Sequence, residues 1–393
     1  MARKMKDSGI EWIGEVPERW ETQKLKYYAT VTSGEILSKD EYVFSGDIPV
    51  IGSNGKIGTT YKSNNHSEVI TTGRVGTIGT AQIVQDAWIT DNVLIIKSHS
   101  ISRPFLTYVI PNFDFKFMLS GTAQPLITAT KLKNQYIPVP SSEVQDKLVQ
   151  YLNTQIFNLS HLISQVCSSI ELYKKFKQAV ITQAVTKGVR GEREMKDSGV
   201  EWIGEINHRF SLIKLKYICS ILDQYRKPIS ADKRSQSGSI LYDYYGASGA
   251  IDKIDDYTID DHVMLIGEDG ANLRMRNLPL MYEVNGKAWI NNHAHILKPT
   301  ERVDFYYLFY ALEGLDINPY ITGSAQPKLS QEKLQNIWVP LPDFEEQQEI
   351  ATYIRSKCAE IDRLIAKKEQ LVKELESYKK SLIYEVVTGK WEV

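Results

Sequence analysis

Two long stretches of the chain carry apolar residues at intervals of three, four or seven, the spacing of one face of a helix. The first follows Ser141, a residue type that caps helices, and meets no proline or glycine before Gly188. It predicts an amphipathic helix of about 45 residues, roughly 65 Å long. Its apolar positions are Leu148, Leu152, Leu159, Ile163, Val166, Ile170, Tyr173, Phe176 and Val180.

The second stretch begins with Asp343 and Glu346, which form a capping-box-like start, and is stopped by Gly389. Its apolar positions are Ile350, Ile354, Ile361, Leu364, Leu371, Leu375, Tyr378, Leu382 and Val386. A single helix of this length with one apolar stripe needs a partner helix in water. Two similar stripes in one chain favour an intramolecular antiparallel coiled coil with internal pseudo-twofold symmetry. The alternative is an intermolecular coiled coil that makes a homodimer.

The region before the first stripe has a different period. Short β-branched runs alternate with Gly/Asn/Ser turns between Ile48 and Ile96, a pattern typical of strands. Pro104–Leu119 predicts a short helix interrupted at Pro111, and a last strand ends at Pro140. The fold class we expect is α+β: globular mixed modules of strands and short helices, each followed by a long helix.

A repeat sets the domain organisation. Met5–Glu15 returns at Met195–Glu205 with one substitution, and Gly121–Pro125 returns with one substitution at Gly323–Pro327. A period near half the chain is too long for a solenoid and indicates a duplicated module. We therefore predict a first module at 1–140, a first long helix and linker at 141–190, a second module at 191–342 and a second long helix at 343–393.

The two copies share a frame but differ in one loop. Gly52–Gly55 corresponds to Gly246–Gly249, and Trp88 corresponds to Trp289. The second copy alone contains the stretch Ala271–Asn277. One interpretation is that the modules recognise two different ligands of one class. The other is neutral drift of a surface loop.

Composition narrows the class of protein. The net charge is −1, so a nucleic-acid ligand would need a local basic cleft rather than a basic whole. Three scattered cysteines without a CxxC motif fit a reducing cytoplasm. The start of the chain has no apolar signal-peptide region, and no run of eighteen apolar residues exists. We expect a cytoplasmic protein with no membrane partner.

Catalytic motifs are weak. Asn318-Pro319-Tyr320 resembles part of the Asn-Pro-Pro-Tyr motif of adenine methyltransferases but lacks the second proline, and a turn explains it better. His293 and His295 could hold a metal only with further ligands, which their surroundings do not offer. We expect a non-catalytic binding protein with no cofactor or metal site of its own.

With these residues in view, the chain resembles the DNA-specificity (S) subunits of type I restriction-modification systems. The resemblance covers the whole chain and rests on Ser8–Gly14 with its copy, on Lys24–Lys26, and on Val339–Pro342 followed by Glu345–Gln347 and Ile350. The first copy of that last boundary departs from the pattern, as Pro138–Gln145 shows, but it keeps the helix cap.

The resemblance implies two target-recognition domains that read a bipartite, asymmetric site on double-stranded DNA. It also implies that two methyltransferase (modification) subunits dock on this chain and that restriction subunits join to make a nuclease. S-adenosylmethionine, ATP and magnesium would then belong to those partners.

The side chains that read base edges are chiefly Arg, Lys, Asn and Gln, while Lys, Arg and backbone amides hold phosphates. Polar residues in the turns of both modules are therefore the candidates for DNA contact. In the first module they are Ser53, Asn54, Lys56, Thr72, Arg74, Thr77 and Gln124. In the second they are Ser248, Glu268, Asp269, Asn272, Arg274, Arg276 and Gln326. The alternative function, from another class, is a scaffold whose modules bind protein or glycan.

Overall fold

The computed structural model describes residues 3–119, 126–191, 194–230, 234 and 240–393. In the first module its strands are β1 (Met5–Asp7), β2 (Glu15–Pro17), β3 (Glu21–Lys24), β4 (Ala29–Ser33), β5 (Ile48–Gly52), β6 (Gly55–Thr60), β7 (Val69–Gly73), β8 (Gln82–Val84), β9 (Trp88–Ile89), β10 (Val93–Ser98) and β11 (Tyr136–Val139). They form an antiparallel sheet in the order β4-β10-β7-β8, a sheet in the order β6-β5-β9, and the pairs β1-β2 and β11-β3.

The second module repeats this plan. Its strands are β12 (Met195–Asp197), β13 (Glu205–Asn207), β14 (Ser211–Lys214), β15 (Cys219–Ile221), β16 (Tyr242–Gly246), β17 (Gly249–Ile254), β18 (Ile259–Gly267), β19 (Met281–Ile290), β20 (Ala294–Pro299) and β21 (Trp338–Leu341). Here β18 and β19 are long enough to join both sheets into one, in the order β15-β20-β18-β19-β16-β17.

The duplication extends to backbone irregularities. Strand β5 pairs parallel with β9 through Val50 and Trp88, and β16 pairs parallel with β19 through Tyr244 and Trp289. Both hairpins shift register at the same place, after Val50 in β5 and after Tyr244 in β16. Bulges are specific features of a strand pair. The repeat in the sequence is therefore a repeat of one fold.

The helices are α1 (Arg103–Val109), α2 (Ala129–Lys133), α3 (Ser142–Lys187), α4 (Asn272–Met275), α5 (Phe305–Gly314), α6 (Gln331–Gln335) and α7 (Phe344–Val387). The interruption predicted at Pro111 is confirmed, because α1 ends at Val109 and Ile110–Asn112 is a 3-10 turn.

The long helices have the predicted lengths and ends. Helix α3 contains 46 residues and α7 contains 44. The Glu346 amide donates to Asp343 Oδ1 at 2.8 Å, which confirms the cap of α7. Gly188 and Gly389 follow the two helices with φ of +80° and +73°, the left-handed conformation that ends a helix most easily at glycine.

The chain folds into two compact units, and each combines one module with parts of both long helices. The first comprises residues 1–167 and 370–393. Its core joins the sheet β4-β10-β7-β8 and α1 to Leu148 and Leu152 of α3 and to Leu382 and Val386 of α7. Lys379 of α7 donates to the Ser160 hydroxyl of α3 at 2.9 Å, so the two helix segments run antiparallel in this unit.

The second unit comprises residues 168–369. Ile181 and Val185 near the end of α3 pack with Ile350 and Ile354 near the start of α7 in the core of this module. Lys177 lies 2.7 Å from Asp362, and Arg190 Nη2, just after α3, lies 2.8 Å from Glu349 Oε1. The antiparallel pairing of the helix segments therefore holds in this unit also. In the described part of the chain, no helix is long and apolar enough to cross a membrane.

Candidate nucleic-acid interface

In the first module, the turn of the β5–β6 hairpin lies beside the end of β7. Ser53 Oγ donates to the Asn92 carbonyl oxygen at 2.8 Å, and the Arg74 amide donates to the same oxygen at 2.8 Å. Gly73 permits this approach, because a Cβ there would lie 1.8 Å from the Thr77 carbonyl oxygen and 3.1 Å from the Ser53 Cβ. Three predicted DNA contacts, Ser53, Arg74 and Thr77, therefore meet at one edge of the module.

The guanidinium of Arg74 has donors to spare. The side chain is half-buried, and its Nη1 makes only a long contact, 3.4 Å, with the Asp91 carbonyl oxygen. Its buried Nε has no hydrogen-bond partner among the described residues. A guanidinium carries five N–H donors. Arg74 is therefore equipped to bind an acceptor such as a phosphate or the edge of a guanine.

A cavity of about 630 Å³ opens next to this edge. Its lining includes Ser53, Gly76 and Asn92 as well as the side chains of Tyr42 and Ile57. Ile57 is 54% exposed. A surface that mixes turn backbone, hydroxyl and apolar groups can contact both the polar edge and the methyl group of a base.

The remaining first-module candidates are placed differently. Asn54 and Lys56 are exposed on the β5–β6 hairpin. Thr72 is only 2% exposed within β7, so it is poorly placed to contact a ligand. Gln124 lies outside the described residues. Leu126, two residues later, forms an isolated bridge with Val75.

The second module builds the same edge. The Glu268 amide donates to the His293 carbonyl oxygen at 2.8 Å, and the Glu268 carbonyl accepts from the Leu329 amide at 2.7 Å. A Cβ on Gly267 would lie 2.7 Å from the Ala247 carbonyl oxygen in the β16–β17 turn. Ser248, the next residue of that turn, is exposed. Glu268 thus occupies the backbone position that Arg74 occupies in the first module.

The residues of the insertion bind their own chain. Asn272 Nδ2 donates to the carbonyls of Leu278 and Pro279, at 3.3 and 3.1 Å. Arg274 Nη2 donates to the Ile321 carbonyl at 3.1 Å. These hydrogen bonds fold the insertion against its module, while the Arg274 side chain remains exposed.

Arg276 closes the end of helix α5. Its guanidinium donates to the Leu315 carbonyl at 3.0 Å and to the Glu313 carbonyl, both at the helix C-terminus, where carbonyl groups lack partners within the helix. Burial raises the pKa of Glu313, whose carboxylate accepts from two backbone amides that follow the insertion, those of Leu280 and Met281 at the start of β19. Arg276 and Glu313 together attach the insertion to α5.

Glu268 is paired with two cations, and Asp269 is paired with a histidine. Asp269 Oδ2 lies 2.8 Å from His293 Nδ1. The Glu268 carboxylate contacts Arg226 through one oxygen and Lys328, at 3.0 Å, through the other. Burial alone would raise the pKa of Glu268, but hydrogen bonds from Arg226 and Lys328 outweigh it and lower the pKa. The carboxylate is therefore held ionised inside a cluster of charges.

Gln326 is exposed in the turn between Thr322 and Lys328, which pair with each other as an isolated bridge. Lys328 also pairs with Asp269. This turn therefore adjoins the end of β18, so that Ser248, Glu268, Asp269 and Gln326 surround one edge.

Sequence reasoning missed Lys328 and Arg226, which contribute the cations at this edge. A comparison of the two copies offered a signal for the first, because Lys328 follows the repeated Gln-Pro pair where the first copy has Leu126.

The motifs considered for catalysis have packing roles. Asn318–Tyr320 is a 3-10 turn, and the hydroxyl of Tyr320, 8% exposed, accepts from the Trp338 amide at 3.1 Å. His295 is 1% exposed and places Nδ1 2.6 Å from Asp223 Oδ2 and Nε2 2.8 Å from the Leu329 carbonyl. Among the described residues, no group of three or more His, Cys, Asp or Glu side chains could hold a metal ion.

Comparisons with known proteins agree with this architecture. The family model described as "Type I restriction modification DNA specificity domain" matches residues 17–172 and 208–376. The MjaVIII type I restriction enzyme specificity subunit of Methanocaldococcus jannaschii is 24% identical over 413 residues, which cover 98% of this chain and 91% of that protein.

Two further similarities differ in extent. The putative type I restriction enzyme specificity subunit S.HindORF215P of Haemophilus influenzae is 31% identical over 168 residues, 43% of this chain and 40% of that protein. A solved structure described as "Structural basis underlying complex assembly and conformational transition of the type I R-M system" has a TM-score of 0.71 at 14% identity. The match covers 96% of this chain and 99% of the solved chain. At this low identity, the similarity is one of fold.

Proposed function

Because the chain belongs to the type I restriction-modification DNA specificity family, we propose that it selects the duplex sequence on which such a complex acts. Each module binds one half of a bipartite, asymmetric site. The side chains around the ends of β7 and β18 make the contacts, and the chain performs no catalytic step of its own.

One observation carries this proposal: the modules share a backbone and differ in the side chains at its edge. Arg74 and Glu268 hold equivalent positions, because their backbone amides and carbonyls bond to equivalent residues of the two modules. Ser53 and Ala247 are likewise equivalent in the neighbouring turns. A common frame with different donors and acceptors suits two readers of two different half-sites, because base identity is read through the pattern of donors and acceptors.

The long helices are the docking surface for the other subunits in this proposal. Large apolar side chains are exposed along them, among them Phe157 at 73%, Leu172 at 66% and Tyr378 at 50%. Such side chains are the kind that a protein partner buries. Two methyltransferase subunits would bind there, with restriction subunits joining them, and S-adenosylmethionine, ATP and magnesium would act in those partners.

The test is the sequence that the complex methylates. Arg74→Ala should weaken binding by about 1–3 kcal/mol and relax one base pair of one half-site if the guanidinium reads a base edge. Arg103→Ala is the matched control, because Arg103 is a half-buried arginine of the same module, like Arg74, but pairs with Glu68 at 3.2 Å. The methylation motif of each variant, mapped in cells that carry the methyltransferase partner, gives the result.

Binding by the complex should also fall steeply with salt, because phosphate contacts release counterions. A complex that shows no duplex preference and no salt dependence would overturn the proposal and favour a scaffold that binds protein or glycan.

A further inference from the structure

The residue that follows β7 in the first module and the equivalent residue that follows β18 in the second carry opposite charges: they are Arg74 and Glu268. The surrounding positions change with it. Leu94 of β10 pairs with Ser33 of β4, and the equivalent pair in the second module is His295 and Asp223. The bridge between Val75 and Leu126 corresponds to the bridge between Asp269 and Lys328. The set Ser33, Arg74, Leu94 and Leu126 is thus replaced by Asp223, Glu268, His295 and Lys328.

In the second module these residues form one charge network. The side chains of Asp223, Arg226, Glu268 and His295 are 10%, 18%, 15% and 1% exposed. Arg226 lies 3.1 Å from Asp223 and also contacts Glu268. Lys328 is the exception, because its side chain is 54% exposed while its ammonium lies 3.0 Å from Glu268. The network therefore ends in one cation at the surface.

On the basis of the proposed function, we infer that Glu268 is a positioning residue whose carboxylate holds the Lys328 ammonium against a phosphate of the DNA. The Glu268 side chain is only 15% exposed, and each of its carboxylate oxygens already faces a cation, so Glu268 is poorly placed to accept from a base. Lysine is a compact, hydrated point charge that suits a phosphate oxygen. In the first module, the position equivalent to Glu268 is itself occupied by a cation, Arg74.

Glu268→Gln distinguishes this role from the simpler ones. Removal of a negative charge close to a polyanion strengthens binding when the charge does nothing else, because repulsion is relieved. Removal of a carboxylate that reads a base changes the preference at one base pair. Removal of a carboxylate that positions Lys328 weakens binding to all sequences alike.

The experiment uses the complex of the full chain with its methyltransferase partner. The probe is a duplex that carries the motif methylated by the wild-type complex, together with duplexes in which single base pairs of the second half-site are changed. Lys328→Gln should weaken binding roughly three- to tenfold at every one of these duplexes and lower the salt slope by about 1. Glu268→Gln should weaken binding in the same uniform way, and the double variant should bind no more weakly than Lys328→Gln.

Asp261→Asn is the matched control. Asp261 also pairs with a lysine, Lys298, but six residues before the end of β18, roughly 20 Å along the strand. Its loss should leave binding unchanged or slightly stronger.

Unchanged or tighter binding by Glu268→Gln overturns the inference, and so does an altered preference at one base pair. If circular dichroism shows that Glu268→Gln unfolds, the test rests on Lys328→Gln. An unchanged salt slope for binding by Lys328→Gln then overturns the inference. Failure of the proposed function looks different, because the wild-type complex would then bind its motif no better than a scrambled duplex.

Discussion

At the scale of single residues, His295 shows how far the two modules have diverged inside a common fold. Its counterpart, Leu94, is fully buried in an apolar core. His295 is equally buried, yet both ring nitrogens face acceptors, Asp223 and the Leu329 carbonyl. A buried polar network is stable only when every member has a partner. His295 therefore holds together the network that ends in Lys328.

We predict that His295→Leu, which introduces the side chain of the first module, lowers the stability of the second unit by about 2–4 kcal/mol. The leucine leaves the Asp223 carboxylate and the Leu329 carbonyl without this partner. Hydrogen exchange of the β18 and β20 amides in the full chain measures the loss locally. His293→Leu is the control: its side chain is 50% exposed and pairs with Asp269, so less than about 1 kcal/mol should be lost. Equal effects of the two variants would contradict a special role for His295.

At the scale of elements, the insertion between β18 and β19 is held against helix α5 by hydrogen bonds. Arg276, with φ of +51°, turns the chain after α4 and donates to the carbonyls at the end of α5. A substitution there acts first on the fold of the second module. An effect on DNA binding would come through that fold.

We predict that Arg276→Ala destabilises the second unit by about 1–3 kcal/mol, because the α5 carbonyls and Glu313 lose a charged donor. The methylation motif of the complex should stay the same. Arg209→Ala, an exposed arginine of the same module, should cost less than about 0.5 kcal/mol. If Arg276→Ala relaxed one base pair of the motif without loss of stability, Arg276 would be a base reader after all.

Elements with strong local signals could be predicted from the sequence. Both long helices followed from their apolar stripes, the cap at Asp343 and the stops at Gly188 and Gly389. The fusion of the second module's sheets could not be predicted, because it depends on how far β18 and β19 pair with each other, which is decided by tertiary contacts.

The candidate site could be predicted only in part, because some of its features have local signals in the sequence and others depend on tertiary contacts. Gly73 and the repeated hairpin turn mark where Ser53, Arg74 and Thr77 meet, and glycines at close approaches are visible in a sequence. The direction of a side chain is not visible. Arg276 is indistinguishable by type from a base reader, and nothing local to Lys328 reveals that Glu268 lies 3.0 Å away.

At the scale of the whole molecule, the long helices connect the two modules, so under the proposed function we expect them to set the gap between the half-sites. Each unit contains one end of α3 and one end of α7. A change in length that keeps the apolar stripes in phase must therefore be made in both helices. One heptad preserves the stripe in each.

We predict that seven residues added to α3 after Cys167 and seven added to α7 after Glu369, the boundaries of the two units, leave both half-sites unchanged and lengthen the gap. Seven helical residues add about 10 Å, which is roughly three base pairs at about 3.4 Å each. The methylation motif of the double insertion is the measurement. The single insertion in α3 is the control, because the register of α3 against α7 can then no longer satisfy both Ser160–Lys379 in the first unit and Lys177–Asp362 in the second, so stability should fall instead. An unchanged gap would mean that the helices do not measure the site, and an altered half-site would mean that the modules do not read independently.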